Sequence, residues 1–203
     1  MFGKIGRNTA ASTGTNPLRA NNLGGLIVED GYQDKTQAGT HFMACVKISD
    51  VALYTATSAK GLIVYNPATS GVNMIPKLWS VSTHIVSAAM TGMVMAVSAQ
   101  TIVPTTTTAA TLTGKSLLTG STGLVAGSCI AYSIATIQTA PVVAWPLFTN
   151  AIALDTEGSN MTCGDLKGAI GFAPGTVCVI GAQAAAGVDV DIAMTWDEVP
   201  TGL

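Results

Sequence analysis

The chain is short of charged residues, which make up only 10% of its 203 positions, whereas an ordinary soluble domain has about 25%. A surface with so few charges is either neutral and rich in hydroxyl groups or buried against other subunits. The net charge of −2 supplies no long-range attraction to nucleic acid or to an anionic membrane. We therefore expect a protein that contacts other proteins, with neither a nucleic-acid nor a membrane partner.

Histidine and cysteine are also scarce, which limits the chemistry that the chain can perform. The sequence has two histidines, His41 and His84, and four cysteines, of which no pair has the CxxC spacing of a zinc site. It has no G-x-S-x-G motif, and neither histidine has a local partner pattern. We expect no enzymatic activity, no catalytic residues, no cofactor and no metal. The positions of Cys45, Cys129 and Cys178 in apolar runs predict small buried hydrophobes.

Long hydrophobic runs that could cross a membrane are lacking as well. The stretch from Leu124 to Phe148 carries no charge, but Gln138, Pro141 and Pro146 interrupt it. It alternates apolar with small polar residues, so it predicts a buried β hairpin. The first seven residues lack the apolar stretch of a secretory signal, so we expect no such signal.

The sequence instead contains short strand-like stretches. In the last one, Val188, Val190, Ile192, Met194 and Trp196 alternate with polar or small residues, which predicts a half-buried antiparallel strand that stops at residues 198–200. Further strands are expected in the apolar segments 41–54, 61–65, 72–86, 93–97, 128–138, 142–148 and 176–180. Segments 101–122 and 151–168 predict loops, and Pro76 predicts an edge position or a bulge.

The number and spacing of these stretches indicate the fold class. Eight or so short strands separated by turns predict an all-β protein, an antiparallel β-sandwich that is jelly-roll-like, over residues 23–203. Residues 1–22 are rich in Gly, Asn, Thr and Ala and show no apolar period, so they predict an extended N-terminal arm.

Charges and tryptophans suggest where a partner binds. Six of the nine basic residues lie in the first 60 positions and seven of the eleven acidic residues lie after position 154. These two parts either attract one another across subunits or reflect ordinary scatter. We take Arg7 and Arg19 in the arm, together with Trp79, Trp145 and Trp196, as candidate interface residues, although the tryptophans also suit a core.

Two stretches resemble small virion proteins of tailed bacteriophages. Residues 61–67 read Gly-Leu-Ile-Val-Tyr-Asn-Pro and precede Gly71-Val72-Asn73, and residues 187–200 resemble the closing strand of those proteins. The resemblance covers about 25 residues, which are packing and turn signals without catalytic groups.

The resemblance implies a homotrimeric structural protein of the virion, assembled in the host cytoplasm. It favours a capsid decoration (cement) protein that stabilises the phage head through trimerisation and arm contacts with the major capsid protein or other virion subunits. The alternative is a collar, head-fibre or tail-spike subunit that binds a receptor or glycan.

Overall fold

The computed structural model describes residues 19–20, 26–27, 39–49, 51, 54, 57–86, 92–106, 111–116, 126–148, 160–183 and 188–202. Regular structure in these residues consists of β-strands only. The strands are β1 (Arg19–Ala20), β2 (Leu26–Ile27), β3 (His41–Ile48), β4 (Ser58–Asn66), β5 (Val72–Val86), β6 (Met93–Ala99), β7 (Thr111–Ser116), β8 (Ala126–Thr136), β9 (Val142–Phe148), β10 (Asn160–Asp165), β11 (Thr176–Ala182) and β12 (Val188–Pro200). Apart from its residues 19 and 20, the expected arm lies outside the described residues.

The strands form two antiparallel sheets that face each other. The front sheet has the order β10-β5-β12-β3, and the back sheet has the order β7-β8-β4-β11-β6-β9. The sheets are joined along one side by a short ladder between β3 and β7, in which Phe42 pairs with Ser116 and Met43 with Lys115. On the other side, β9 and β10 are the free edges. The all-β sandwich expected from the sequence is therefore confirmed.

The strand order is that of a jelly roll. In the usual lettering B to I, β3-β12-β5-β10 corresponds to B-I-D-G and β4-β11-β6-β9 corresponds to C-H-E-F. The paired strands β7 and β8 are inserted between E and F, and they extend the back sheet beyond C. A small pair, β1–β2, forms a separate two-stranded ladder.

A large apolar core fills the space between the sheets. It combines inward-facing residues of β12, such as Ile192 and Met194, with residues of the back sheet, such as Leu62 and Ile180. A second apolar cluster, which includes Ile63 and Val179, lies on the other face of the back sheet. Because β4, β6 and β11 are buried on both faces, their sequences are continuous apolar runs without alternation.

The β12 prediction is confirmed for the strand but wrong at its end. Val190, Ile192, Met194 and Trp196 all point into the core, as the alternation indicates. The strand nevertheless continues to Pro200, because residues 196–200 pair with β5 down to Val72. The register shifts between Met194 and Trp196, opposite Pro76, which confirms the bulge expected at that proline.

The hairpin expected between residues 124 and 148 is not formed. Strand β8 pairs with β4 and β7, whereas β9 pairs with β6 at the far edge. Their connection begins at Ile137, which packs in the apolar cluster with Val177 and Val179 of β11, and it is held by Gln100, whose Oε1 accepts a hydrogen bond from the backbone N–H of Gln138 at 2.6 Å. The same side chain donates from Nε2 to the carbonyl of Thr139 at 3.2 Å.

Two of the expected loops contain strands. Strand β7 lies in the threonine-rich segment and β10 lies between residues 151 and 168. In β10, small and polar residues replace the apolar pattern, because among the described strands it pairs with β5 alone and lies at the edge of the sheet. Gly164 faces the indole of Trp79, and a Cβ at that glycine would lie 2.8 Å from the ring. Strand β10 is thus determined by its pairing with β5 and by the close approach of Gly164 to Trp79, and neither feature is visible in the hydropathy of its sequence.

Candidate functional site

Two acidic residues at the end of β12 are buried, which the sequence pattern did not indicate. Asp197 is 3% exposed, and its Oδ1 accepts a hydrogen bond from Nδ1 of buried His41 at 2.7 Å. Its Oδ2 lies 3.3 Å from the ammonium group of Lys77. Burial alone raises the pKa of Asp197, but the hydrogen bond from His41 and the charge of Lys77 outweigh it and hold the pKa below its ordinary value.

Glu198 joins the two sheets. The backbone N–H groups of Ser128 and Cys129 in β8 donate to its two carboxylate oxygens at 2.8 Å and 2.9 Å, and Trp196 Nε1 donates to it at 3.3 Å. These amides lie where three residues of β8, 127–129, face a single residue of β7, between the pairs Thr113–Ile130 and Lys115–Ala126. The carboxylate therefore satisfies amides of β8 that would otherwise lack acceptors.

The chemistry available to these buried groups is structural. His41 and Asp197 form a hydrogen-bonded pair, but they are 2% and 3% exposed, so the structure leaves almost no surface at which a substrate could reach them. Among the described residues, no group of three histidine, cysteine or acidic side chains is arranged to hold a metal ion. The buried thiols of Cys129 and Cys178 have pKa values raised by burial, which keeps them protonated and unreactive.

A concave site lies on the outer face of the front sheet, and we call it the groove. Its volume is about 460 Å³, and its apolar walls include Met43 and Leu78, which are 39% and 42% exposed. Its floor consists of small residues on neighbouring strands: Ser80 pairs with Ala193 on one side and with Cys163 on the other. The groove forms because small side chains in one row leave space between larger neighbours.

Two polar side chains that line the groove, Thr195 and Asp165, already have partners within the chain. Thr195 lies opposite the two bulged residues of β5, Lys77 and Leu78, and its Oγ1 accepts a hydrogen bond from the backbone N–H of Leu78 at 3.1 Å. Asp165 at the rim accepts one from the backbone N–H of Lys167 at 2.7 Å. The groove therefore favours an apolar occupant over a polar one.

A second exposed apolar surface lies on the free edge of the back sheet. It consists of Ile102, Val103, Val142, Val143 and Trp145, which are between 41% and 67% exposed, and we call it the edge patch. The loop that carries Ile102 is fastened to the connection that leads into β9, because both the N–H and the hydroxyl of Thr101 donate to Gln138 Oε1 at 3.1 Å and 2.7 Å. All five residues from Val142 to Pro146 are exposed, so neither face of this part of β9 is covered.

The three predicted tryptophans have different environments. Trp196 is fully buried and stacks on Phe42 with ring centroids 6.2 Å apart, and Trp79 is 7% exposed beneath the groove. Both rings pack inside the sandwich, whereas Trp145 presents 41% of its surface. Arg7 lies outside the described residues; Arg19 belongs to β1, where the backbone pairing alone is described.

The prediction for Cys45 was wrong. Cys45 lies between two inward-facing residues of β3, so its side chain points outward and is exposed, while Cys129 and Cys178 are buried as expected. Cys163 on β10 is exposed as well. An apolar run in a strand does not by itself indicate which cysteine faces the core, because successive side chains point to opposite faces.

Comparisons of the chain with protein-family models, with curated proteins and with solved structures found no match. Within the described part of the chain, no helix has the length and apolar character needed to span a membrane.

Proposed function

We propose that this protein is a non-enzymatic structural subunit of a virion, and specifically a decoration (cement) protein that stabilises a bacteriophage head. The observation that carries the proposal is the distribution of exposed apolar side chains. Of the eight large hydrophobic residues exposed in the described part of the chain, five form the edge patch and two line the groove. Apolar surfaces concentrated in this way mark contacts with other proteins.

The fold and the resemblance to phage virion proteins support the same role. Jelly rolls occur in viral capsid proteins and in lectins, and the fold alone does not select a function. The phage-like segment 61–67 includes Asn66, whose side chain donates to the carbonyls of Val72 and Phe172 at 2.8 Å and 3.0 Å. That segment therefore stabilises the β4–β5 turn. The resemblance in this segment supports an architecture shared with the phage virion proteins.

A cement protein can attach stably to a capsid through many contacts that are individually weak. On a capsid the same subunit surface is repeated, so an oligomer that contacts several neighbours gains stability from multivalency even when each contact is weak. The few charges of this chain reduce the desolvation penalty of such broad contacts. We propose that the partners are further copies of this chain, as a homotrimer, and the major capsid protein.

The proposal is tested on phage particles assembled without this protein. Purified protein is added back, and the fraction of particles that remain intact after heating is measured. We expect higher survival with the parent protein and no gain with the Trp145→Ala and Leu78→Asp variants. Equal survival of particles with and without the parent protein would contradict the cement role.

One observation favours a second candidate, a receptor-binding or glycan-binding collar, head-fibre or tail-spike subunit. The exposed indole of Trp145 could stack on a sugar ring. Its neighbours in the edge patch are all aliphatic, however, and their side chains offer no hydrogen bonds to sugar hydroxyls. A glycan array with the purified protein distinguishes the two roles, since specific glycan binding that Trp145→Ala abolishes would favour this second candidate.

A further inference from the structure

We infer that copies of this chain assemble head to tail, with the edge patch of one copy docked in the groove of the next and Trp145 as the anchor. The inference rests on the proposed self-assembling role and adds to it the two surfaces that meet. Its starting point is that the described residues carry an exposed apolar patch at the edge of the back sheet and an apolar groove on the front sheet.

The edge patch is poorly suited to pairing backbone to backbone with another strand. Pro146 has no N–H to donate, and the register between β9 and β6 shifts twice, between Met93 and Val94 and between Met95 and Ala96. Proline and bulges are the features by which natural edge strands resist strand addition. Lysine, the other common protection, is absent from Val142–Phe148. The patch therefore offers its side chains to a partner while its backbone resists an added strand.

The groove has the chemistry and size to receive those side chains. Its volume of about 460 Å³ falls within the range of roughly 300–1,000 Å³ that is typical of binding pockets, and it can accept an indole with an adjacent aliphatic side chain. Met43 and Leu78 provide apolar walls, and the polar lining atoms of Asp165 and Thr195 are already bonded. Tryptophan seated in a desolvated pocket is the commonest type of interface anchor.

A second copy is the occupant that the chain's own properties favour. Between Gly61 and Leu154 only Lys77 and Lys115 are charged, so the edge patch offers no charge for an ionic partner to recognise. Five partly exposed large side chains form a patch on the order of 500 Å², whereas a standard interface buries about 800 Å² per partner.

A single contact is therefore weak, but a closed ring gives every copy two contacts. Because the edge patch and the groove are different surfaces, the contact is heterologous, and heterologous contacts form either closed rings or open filaments. A ring of three would match the trimer that the resemblance to phage virion proteins implies.

Thiol cross-linking tests the contact directly, since Cys163 is exposed in the groove. In a Cys45→Ser background, Ala144→Cys places a thiol beside Trp145 while keeping the indole. After mild oxidation we expect covalent dimers and higher multiples that disappear when Cys163→Ser is added. Ser49→Cys is the control, because Ser49 is exposed just after β3, six residues beyond Met43, and belongs to neither surface, and we expect it to give no cross-link.

Solution mass provides the second measurement. We expect the parent to form an oligomer, and Trp145→Ala and Leu78→Asp each to weaken association at least about 30-fold, as for an interface anchor. Met161→Asp is the control, because Met161 is 71% exposed on the same sheet but outside the groove. A monomeric parent, or an oligomer that survives both variants, or one that Met161→Asp disrupts equally, would overturn the inference.

The outcomes also separate this inference from the cement role. An oligomer that resists both variants, and whose Ala144→Cys form gives no cross-link, refutes the docking geometry even if the protein still protects particles. Cross-linked rings that give particles no protection support the geometry and refute the cement role.

Discussion

The carboxylate of Glu198 stabilises the junction between the two sheets, and replacing it tests this description of the fold. Glu198→Ala removes the acceptor of three donors: the backbone N–H groups of Ser128 and Cys129, and Nε1 of Trp196. Ser128 is exposed, so water can replace the lost acceptor there, but Cys129 and Trp196 are buried. Each of these two buried donors left without an acceptor costs about 1–3 kcal/mol, so we expect a loss of about 2–6 kcal/mol in the free energy of unfolding.

The conservative variant Glu198→Gln should be less harmful. Its one amide oxygen can still accept from Cys129 and Trp196, but its NH₂ group then faces the N–H of Ser128. We expect a loss of about 1–2 kcal/mol, because the exposed amide can turn to water. Urea unfolding, followed by tryptophan fluorescence at fixed protein concentration, measures both variants.

A substitution at Gly127 tests the position of the Glu198 carboxylate directly, because the glycine lies against that carboxylate. A Cβ at Gly127 would overlap Oε1 of Glu198 and would lie 3.1 Å from Cδ1 of Phe42. Gly127→Ala must therefore displace the carboxylate in the parent, whereas in the Glu198→Ala background only the Phe42 contact remains. We expect the double variant to be more stable than the sum of the two single losses predicts, by about 1 kcal/mol or more.

Two results would refute this reasoning. Strict additivity of Gly127→Ala and Glu198→Ala would mean that the carboxylate does not lie against Gly127. Unfolding free energies of Glu198→Ala and Glu198→Gln within about 0.5 kcal/mol of the parent, the range of an ordinary surface substitution, would mean that Glu198 does not satisfy the amides of β8.

Three further predictions concern other parts of the molecule. The pKa of Asp197 is lowered on folding, so its stabilising contribution is complete above its unfolded pKa of 3.8 and is lost as the pH falls through the lower folded pKa. The difference in unfolding free energy between the parent and Asp197→Asn should therefore shrink in acid. Acid-unfolding curves that stay parallel would contradict this prediction. Gly61→Ala should cost about 3 kcal/mol in urea unfolding, because its Cβ would overlap the carbonyl oxygen of Ile180, whereas exposed Gly202→Ala, with open space around it, should be neutral. Association through apolar surfaces should persist between low and high salt when followed by solution mass, whereas a marked weakening by salt would favour attraction between the basic and acidic ends of the chain.

The parts of the fold that were predictable are those where one face of a strand is buried. In β12, Val190, Ile192 and Met194 are separated by residues on the outer face, so the sequence alternates and the strand is evident. In β4 both faces are buried, so the apolar run Leu62–Tyr65 indicates a strand but not its neighbours. The false hairpin between β8 and β9 has this origin, because hydropathy carries no information on which strands pair.

The candidate surfaces could not be predicted for a different reason. The groove depends on small side chains of three strands meeting in one row, and Cys163, Ser80 and Ala193 are far apart in the sequence. Likewise, Asp197 falls in the outward-facing row of β12, and only the proximity of His41, 156 residues away, explains its burial. The groove and the buried Asp197 both depend on which residues of neighbouring strands pair, and the sequence alone does not give that register.

The location of the few charges strengthens the case for assembly. A low charge content does not by itself indicate contact, because hydroxyl groups can also keep a surface hydrated. In this chain Asp197 and Glu198 are buried, and Lys77 is only 20% exposed and directed at Asp197. These residues stabilise the junction between strands and contribute little to the surface. The outside is therefore more neutral than the composition implies, and its exposed aliphatic side chains and Trp145 lie beside few groups that hold water strongly. Such side chains have their lowest free energy when another protein surface covers them and excludes water. The groove and the edge patch are therefore the places to test for a partner.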